Sequence, residues 1–209
     1  MTSRRRSAPK SAVRPPRPRS RPPRMCGTPA RVAELVYAMD SKSIVRKGMR
    51  VRIPPRALPV RRATPADARA LAELHVASWR AGYEGIVADE HLAAQSVDHR
   101  HTMWDELLAD ESIAVLVAGE IDGFVAFEPE TREIRALYVA PDRFRQGVGT
   151  ELIEAAHDEL DGDTALWVFE GNDRAFAFYA RHGYTRDGAS TVHETTGVTE
   201  VRMTRQTRE

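Results

Sequence analysis

Glu133-Ile-Arg-Ala-Leu-Tyr-Val-Ala-Pro141-Asp-Arg-Phe-Arg-Gln-Gly147-Val-Gly149-Thr-Glu-Leu-Ile-Glu-Ala-Ala156 is the stretch on which the reading of this 209-residue chain turns. An apolar, β-branched and aromatic run ends at Pro141. A basic loop with two closely spaced glycines follows, and an amphipathic helical pattern begins at once. The order is strand, loop, helix, with the glycines at the helix start. Such a turn aims several unpaired backbone N–H groups and the positive end of a helix dipole at one point, which suits a phosphate or pyrophosphate. Glycines placed only for the geometry of a surface turn leave the same pattern.

Working outward, Gly123–Glu128 and Ser112–Ala118 read as two short apolar strands joined across Gly119-Glu120-Ile121-Asp122, an antiparallel hairpin. Upstream, a short strand at Val60–Ala63 leads into Thr64-Pro65-Ala66-Asp67, which supplies an N-cap, a proline at the first helical position and an acid three residues after the cap. The helix that follows runs to about Trp79, with Leu71, Leu74, His75 and Ser78 on one face. His75 is either a hydrogen-bonded core histidine or a catalyst. Ala81-Gly82-Tyr83-Glu84-Gly85-Ile86 breaks the pattern; it is a plain connection, or a mobile loop whose aromatic and acid suit an amine. A second helix, broken near Ser96, covers Asp89–Leu108. His91, His99 and His101 fall in it without ligand spacing or a supporting cysteine, so no metal site is expected.

Downstream, a helix from Gly147 to Leu160 gives way at Asp161-Gly162-Asp163. The continuous apolar run Ala165–Phe169 is a buried central strand. Asn172 caps a last helix, Asp173–His182, stopped by Gly183. Tyr184–Thr185 and two polar strands, Ser190–Glu194 and Thr199–Arg205, complete the domain.

The net charge of +1 hides an asymmetry: residues 1–59 carry sixteen Lys and Arg against two acids, net +14, which leaves about −13 for residues 60–209. An acidic domain favours cationic ligands such as amines over nucleic acid and anionic membranes. Cys26, the single cysteine, permits no disulfide, and no run has the length of a membrane span, so the expected setting is cytoplasmic. Residues 1–24, with nine basic residues, six prolines and no acid, are expected to be disordered. Residues 32–58 read as translated transfer-RNA sequence. Met39–Ile44 can be encoded by ATG GAC TCG AAA TCC ATC, whose ends pair around a serine-type anticodon loop, and Arg50–Pro54 by CGG GTT CGA ATC CCG, a TTCGAAT loop closed by CGGG and CCCG. The expectation is a disordered basic extension over 1–59 arising from a start placed too far upstream, and a domain over 60–209. The alternative use of the basic arm is salt-sensitive nucleic-acid binding.

Two signatures coincide in the domain. The first is Leu137-Tyr138-Val139-Ala140-Pro141 with the turn Gln146-Gly147-Val148-Gly149-Thr150. The second is Asn172-x-x-Ala175-x-x-Phe178-Tyr179-x-x-x-Gly183-Tyr184. In this order and spacing they resemble the GNAT superfamily of acyl-CoA-dependent N-acetyltransferases over about residues 61–205, departing from it at Phe144, where that family usually has Gln or Arg. The resemblance implies an α/β fold of the α+β type: a mixed, mainly antiparallel sheet with splayed central strands and helices on both faces. It implies acetyl-CoA as cosubstrate. The pantetheine would lie along the Leu137–Tyr138–Val139 strand edge, and the pyrophosphate on the amides of Arg145, Gln146, Gly147, Val148, Gly149 and Thr150, with Asn172 a further contact. Tyr179 becomes the general acid toward the CoA sulfur, or else a buried core tyrosine, and the Val139 N–H the group that polarises the thioester. On a regular strand Glu133 shares a face with Leu137 and Val139, where some family members place a catalytic glutamate; a solvated strand-end acid is the other reading. Glu84 is a weaker candidate base, and Trp79, Tyr83 and Glu84 are placed at the acceptor pocket. The acceptor is a small-molecule or peptide amine, and dimers are frequent in the family. A non-catalytic acyl-CoA-binding module on the same fold is the competing reading.

Overall fold

The computed structural model describes residues 58–207. The expected disorder of 1–24, the transfer-RNA reading and the nucleic-acid arm fall outside those residues. The described chain forms one seven-stranded sheet in the order β1-β2-β3-β4-β5-β7-β6. Its strands are β1 (Val60–Arg62), β2 (Ala114–Ala118), β3 (Gly123–Glu128), β4 (Glu133–Val139), β5 (Thr164–Phe169), β6 (Thr185–Val192) and β7 (Thr199–Arg205). Every neighbouring pair is antiparallel except β4 and β5, which are parallel.

Helices cover both faces. On one side lie α1 (Ala68–Tyr83), α2 (Asp89–Ala93) and α3 (Val97–Leu108), burying Leu71, Trp79 and Trp104 against Val117, Phe124 and Tyr138. On the other lie α4 (Val148–Glu159) and α5 (Asp173–Arg181), burying Leu152, Ile153, Phe178 and Tyr179 against Val125, Leu137, Leu166 and Val168. Strand residues alternate between the two layers because successive side chains leave opposite faces of a sheet. Among the described residues no helix is long and apolar enough to cross a membrane.

The start of α1 is fixed by charge. Asp67 accepts from the Thr64 N–H at 2.7 Å and hydroxyl at 2.9 Å, and from both guanidinium nitrogens of Arg61 at 2.8 and 2.9 Å. The paired Arg61 guanidinium holds its carboxyl far below the usual aspartate range.

Three expectations are corrected. The helix α1 does not stop near Trp79 but continues through Gly82 to Tyr83. Tyr83, expected in a connection or mobile loop after that helix, is fully buried within it, with its ring 4.8 Å from Trp79 and 5.1 Å from Phe169. Burying so large a ring outweighs the helix penalty of one glycine. The polar segment after Gly183 forms one long strand, Thr185–Val192, whose register against β7 shifts between Arg186 and Ser190.

The third correction concerns β4. Phe127 faces Ile134 but Ala126 faces Ala136, so Arg135 is an extra residue, a β-bulge. Two residues stand between Ile134 and Leu137 where a regular strand has one. Ile134, Leu137 and Val139 therefore share the α4 layer, whereas Glu133, one step before Ile134, faces α1. The bulge breaks the parity on which the expected alignment of Glu133 with Leu137 and Val139 rested.

Candidate functional site

Strands β4 and β5 pair at Glu133 with Ala165 and at Ile134 with Leu166, and at no later residue. Beyond that point they splay. The backbone of β4 shows what the opening contains. Phe124 faces Tyr138 and Gly123 faces Val139, while the Ala140 N–H donates to the Asp122 carbonyl at 2.8 Å. That register makes Tyr138 a hydrogen-bonded partner of Phe124 and turns the N–H and C=O of Leu137 and Val139 toward β5. The Val139 carbonyl accepts from the buried Ser78 hydroxyl at 2.8 Å. A strand edge with unpaired groups is a template for another extended chain. Tyr138 itself contributes its ring to the α1 layer, 4.5 Å from His75.

The loop after β4 begins with a single 3₁₀ turn, Pro141–Arg143, and enters α4 through Arg145 at φ 63° and Gly147 at φ 92°. These left-handed residues reverse the chain so that α4 starts beside the open edge. The helix has no side-chain N-cap, so the N–H groups of Val148, Gly149 and Thr150 point out of its positive end. A hollow there is lined by Val139, Arg143, Arg145, the Gly147–Thr150 turn, Phe178 and Arg181. A Cβ at Gly147 would meet no atom within 4 Å, so the space in front of the loop is open. Gln146 turns away, donating to the Asp142 carbonyl at 2.8 Å. Arg181, and Arg143 with its guanidinium paired to Asp122 at 3.1 Å, also line this cradle but were not singled out from sequence. Basic residues in a helix's last turn, as Arg181 is in α5, are too common to read as ligands.

Asn172 follows β5 and begins α5. Its Oδ1 accepts from the Ala175 N–H at 3.1 Å and caps α5, and its Nδ2 is buried without a hydrogen-bond partner among the described residues. Tyr179, two turns along α5, is fully buried, 5.6 Å from Tyr184 and in the same layer as Leu137 and Val139.

The other side of the splay is aromatic and acidic. Trp79 and Tyr83 pack on Phe169, the last residue of β5, at 6.1 and 5.1 Å. Arg174 donates to the Gly82 carbonyl at 3.2 Å and ties α5 to the C-terminus of α1. Glu133 lies 3.9 Å from Arg135, which also approaches Glu128 at 3.5 Å. Glu200 of β7, absent from the sequence-derived site, is 3% exposed; burial pushes its carboxyl up to about 7, with the Glu133 charge adding to the effect. Glu84 is exposed, at a shallow groove shared with Arg80, Asp89 and Leu92.

His75 sits in the core, among the rings of Trp104, Phe124 and Tyr138, but its Nδ1 has no hydrogen-bond partner among the described residues. Burial pushes its pKa well below the usual histidine value, so the ring is neutral packing. Among the described residues no group of three or more His, Cys, Asp or Glu is arranged to hold a metal ion.

A family model described as "Acetyltransferase (GNAT) domain" matches residues 109–186, which run from before β2 into β6 and include the splay and the cradle. The Mycobacterium tuberculosis protein named "Probable N-acetyltransferase Rv2775" is 29% identical over 148 residues, covering 64% of this chain and 83% of that protein. Two solved structures share the fold. The PaiA N-acetyltransferase of Thermoplasma acidophilum, in complex with coenzyme A, superposes with a TM-score of 0.60 at 19% identity, over 73% of this chain and 100% of that one. YncA of Salmonella typhimurium, with its cofactor acetyl-CoA, gives a TM-score of 0.55 at 17% identity, over 73% and 95%.

Proposed function

Because this chain belongs to the GNAT superfamily and is an acyltransferase of that type, we infer that it transfers the acetyl group of acetyl-CoA to a primary amine by direct attack, with Tyr179 as general acid. The observation that carries the reading is the unpaired edge of β4 opening beside the uncapped N-terminus of α4. Extended pantetheine needs a strand edge and a pyrophosphate needs converging N–H groups, and the two lie end to end here.

The residues present fit the cosubstrate. The N–H groups of Leu137 and Val139 face the splay, the Val139 N–H being placed to polarise the thioester carbonyl. Asn172 Nδ2 is a buried donor with no acceptor among the described residues. Arg145, Gln146 and the Gly147–Thr150 turn offer backbone amides and the Arg143 and Arg181 side chains offer charge. Tyr179 stands in the α5 layer and gives its phenolic proton to the leaving sulfur.

The α4 face of the splay is filled by α4 and α5, so the amine enters from the α1 face, past Trp79, Tyr83 and Phe169, with Glu84 at the outer approach. Glu133 gives that groove negative charge. The excess of acids over residues 60–209 draws in a cationic acceptor, a small amine or a peptide N-terminus.

The test is CoA-thiol release from acetyl-CoA across a panel of primary amines, for the wild type and Tyr179→Phe. Release that falls at least tenfold in the variant, with acetyl-CoA binding retained, is expected. Acetyl-CoA binding without release by any amine would make this an acyl-CoA-binding module instead.

A further inference from the structure

Glu200 is a buried acid to which the transfer described above gives no task. It lies on β7 directly opposite Phe169 of β5 and Thr191 of β6. Its Oε1 is buried without a hydrogen-bond partner, and no cation pairs with the carboxylate among the described residues. A carboxylate so placed is costly to ionise and takes up a proton readily.

Its height and its face both bring it to the splay. Counting up from the Glu133–Ala165 pair, and allowing one residue for the bulge, Leu137 stands level with Val168 and Val139 with Glu170. Phe169, and Glu200 opposite it, therefore lie between the heights of the two N–H groups that face the opening. The Phe169 ring packs on Trp79 and Tyr83, so its cross-strand partner Glu200 faces the same, α1 side, by which the amine enters.

The surrounding charges single out Glu200 rather than Glu133. Glu133 has the Arg135 guanidinium at 3.9 Å to offset its charge, whereas Glu200 has no such partner among the described residues. The charge of Glu133 on β4 acts on Glu200, and Arg202 lies two residues on in β7, itself bound to Asp187 of β6 at 2.6 Å. His193, after β6, has its ring 5.1 Å from Phe169 and its Nδ1 engaged by Thr196, and the charges of Glu194, Arg100 of α3 and His91 of α2 act on it. From α1 come Trp79 and Tyr83.

We propose that Glu200 is the base of the transfer, accepting, directly or through one bridging water, an N–H proton of the amine as the C–N bond forms. The proposal rests on the transferase reading above. The amine lone pair forms the bond to the carbonyl carbon, and the nitrogen, now acidic, loses one proton to Glu200. The C–S electron pair leaves on sulfur, which takes the phenolic proton of Tyr179. The proton on Glu200 passes through solvent to the Tyr179 phenolate, so the enzyme is restored and amide and thiol are the products. Glu133 contributes as a fixed negative charge that raises the proton affinity of Glu200.

The experiment uses the full chain with acetyl-CoA and spermidine, lysine and an alanine-led peptide as amines, following thiol release from pH 5.5 to 9. The wild type should show a rise in kcat/KM through a limb near pH 7. Glu200→Gln, nearly isosteric, should lose about 100-fold or more in kcat and lose the limb. Its acetyl-CoA affinity should stay unchanged. Glu200→Asp should recover part of the rate with the limb, and Glu133→Gln should move the limb to lower pH. Thiol release that stays within threefold in Glu200→Gln, with the limb intact, overturns the assignment of Glu200 alone. A wild type that binds acetyl-CoA yet acetylates none of the amines overturns the transferase reading, and the base with it.

Discussion

Replacing Gly123 by alanine probes the joint between the sheet and the anion cradle. A Cβ there would lie 2.7 Å from the Tyr138 carbonyl oxygen, 2.9 Å from Val148 Cγ1 and 3.0 Å from Leu152 Cδ1. The leucine can rotate, but the carbonyl belongs to the hydrogen-bonded Phe124–Tyr138 pair and Val148 is the first residue of α4. Relief requires α4 to rise or the β3–β4 ladder to open, and overpacking of this kind costs about 1–3 kcal/mol. For a domain of this size each kcal/mol lowers Tm by roughly 2–4 °C, so a fall of roughly 2–12 °C is expected in thermal unfolding followed by circular dichroism. Moving Val148 also displaces a first-turn N–H, so calorimetric titration should show weaker acetyl-CoA binding. Gly147→Ala is the contrasting case: its Cβ meets nothing, and the cost is the φ of 92° alone, about 1–2 kcal/mol. An unchanged Tm together with undiminished acetyl-CoA affinity in Gly123→Ala would refute the packing argument.

Asp67→Asn should cost about 1–2 kcal/mol in urea unfolding at pH 7, a figure kept low because Arg61 is 47% exposed. Its folded carboxyl is depressed, so that contribution is present above the ordinary aspartate pKa and is lost as pH falls through it toward the folded value; a loss that is the same at pH 7 and pH 2 would contradict the ion pair. Burial pushes His157 from 6.5 down to about 4, with Arg205 and His182 adding to the effect, while its Nε2 meets the Tyr184 hydroxyl at 2.9 Å. The unfolded chain therefore binds more protons between those values, and stability should fall as pH drops from 6.5 to 4, less steeply in His157→Gln. Ser78→Ala removes the donor to the Val139 carbonyl. It should lower stability by about 1 kcal/mol and weaken acetyl-CoA binding, both read by ligand-dependent thermal shift.

Local chemistry made much of the fold legible. The β3 strand spans Gly123–Glu128 as its apolar run and flanking turn predict, and Asn172 caps α5 as its side chain permits. What failed to show depends on partners distant in sequence. Gly82 reads as a break, and only the packing of Tyr83 on Phe169 carries the helix past it. The strand containing Glu200 reads as polar throughout, and alternation alone does not say which of Thr199–Arg205 lies under a helix, under a neighbouring ring or in solvent. Arg135 looks like an ordinary strand residue, because a bulge is a property of the pairing with β3.

The extra residue at Arg135 gives β4 two phases. Below it the side chains and amides alternate in one sense; above it the sense is reversed, and the upper phase holds Leu137 and Val139 with their N–H groups toward the opening. The strand thus behaves like a reading frame. Losing one residue between Ile134 and Leu137 would rotate Tyr138 into the α4 layer and turn the Leu137 and Val139 amides into the β3 ladder, closing the edge without changing any residue that forms it. Surface loops of this chain can vary in length, but this short interval sets parity, and its length is as much a determinant of the site as the identity of its side chains.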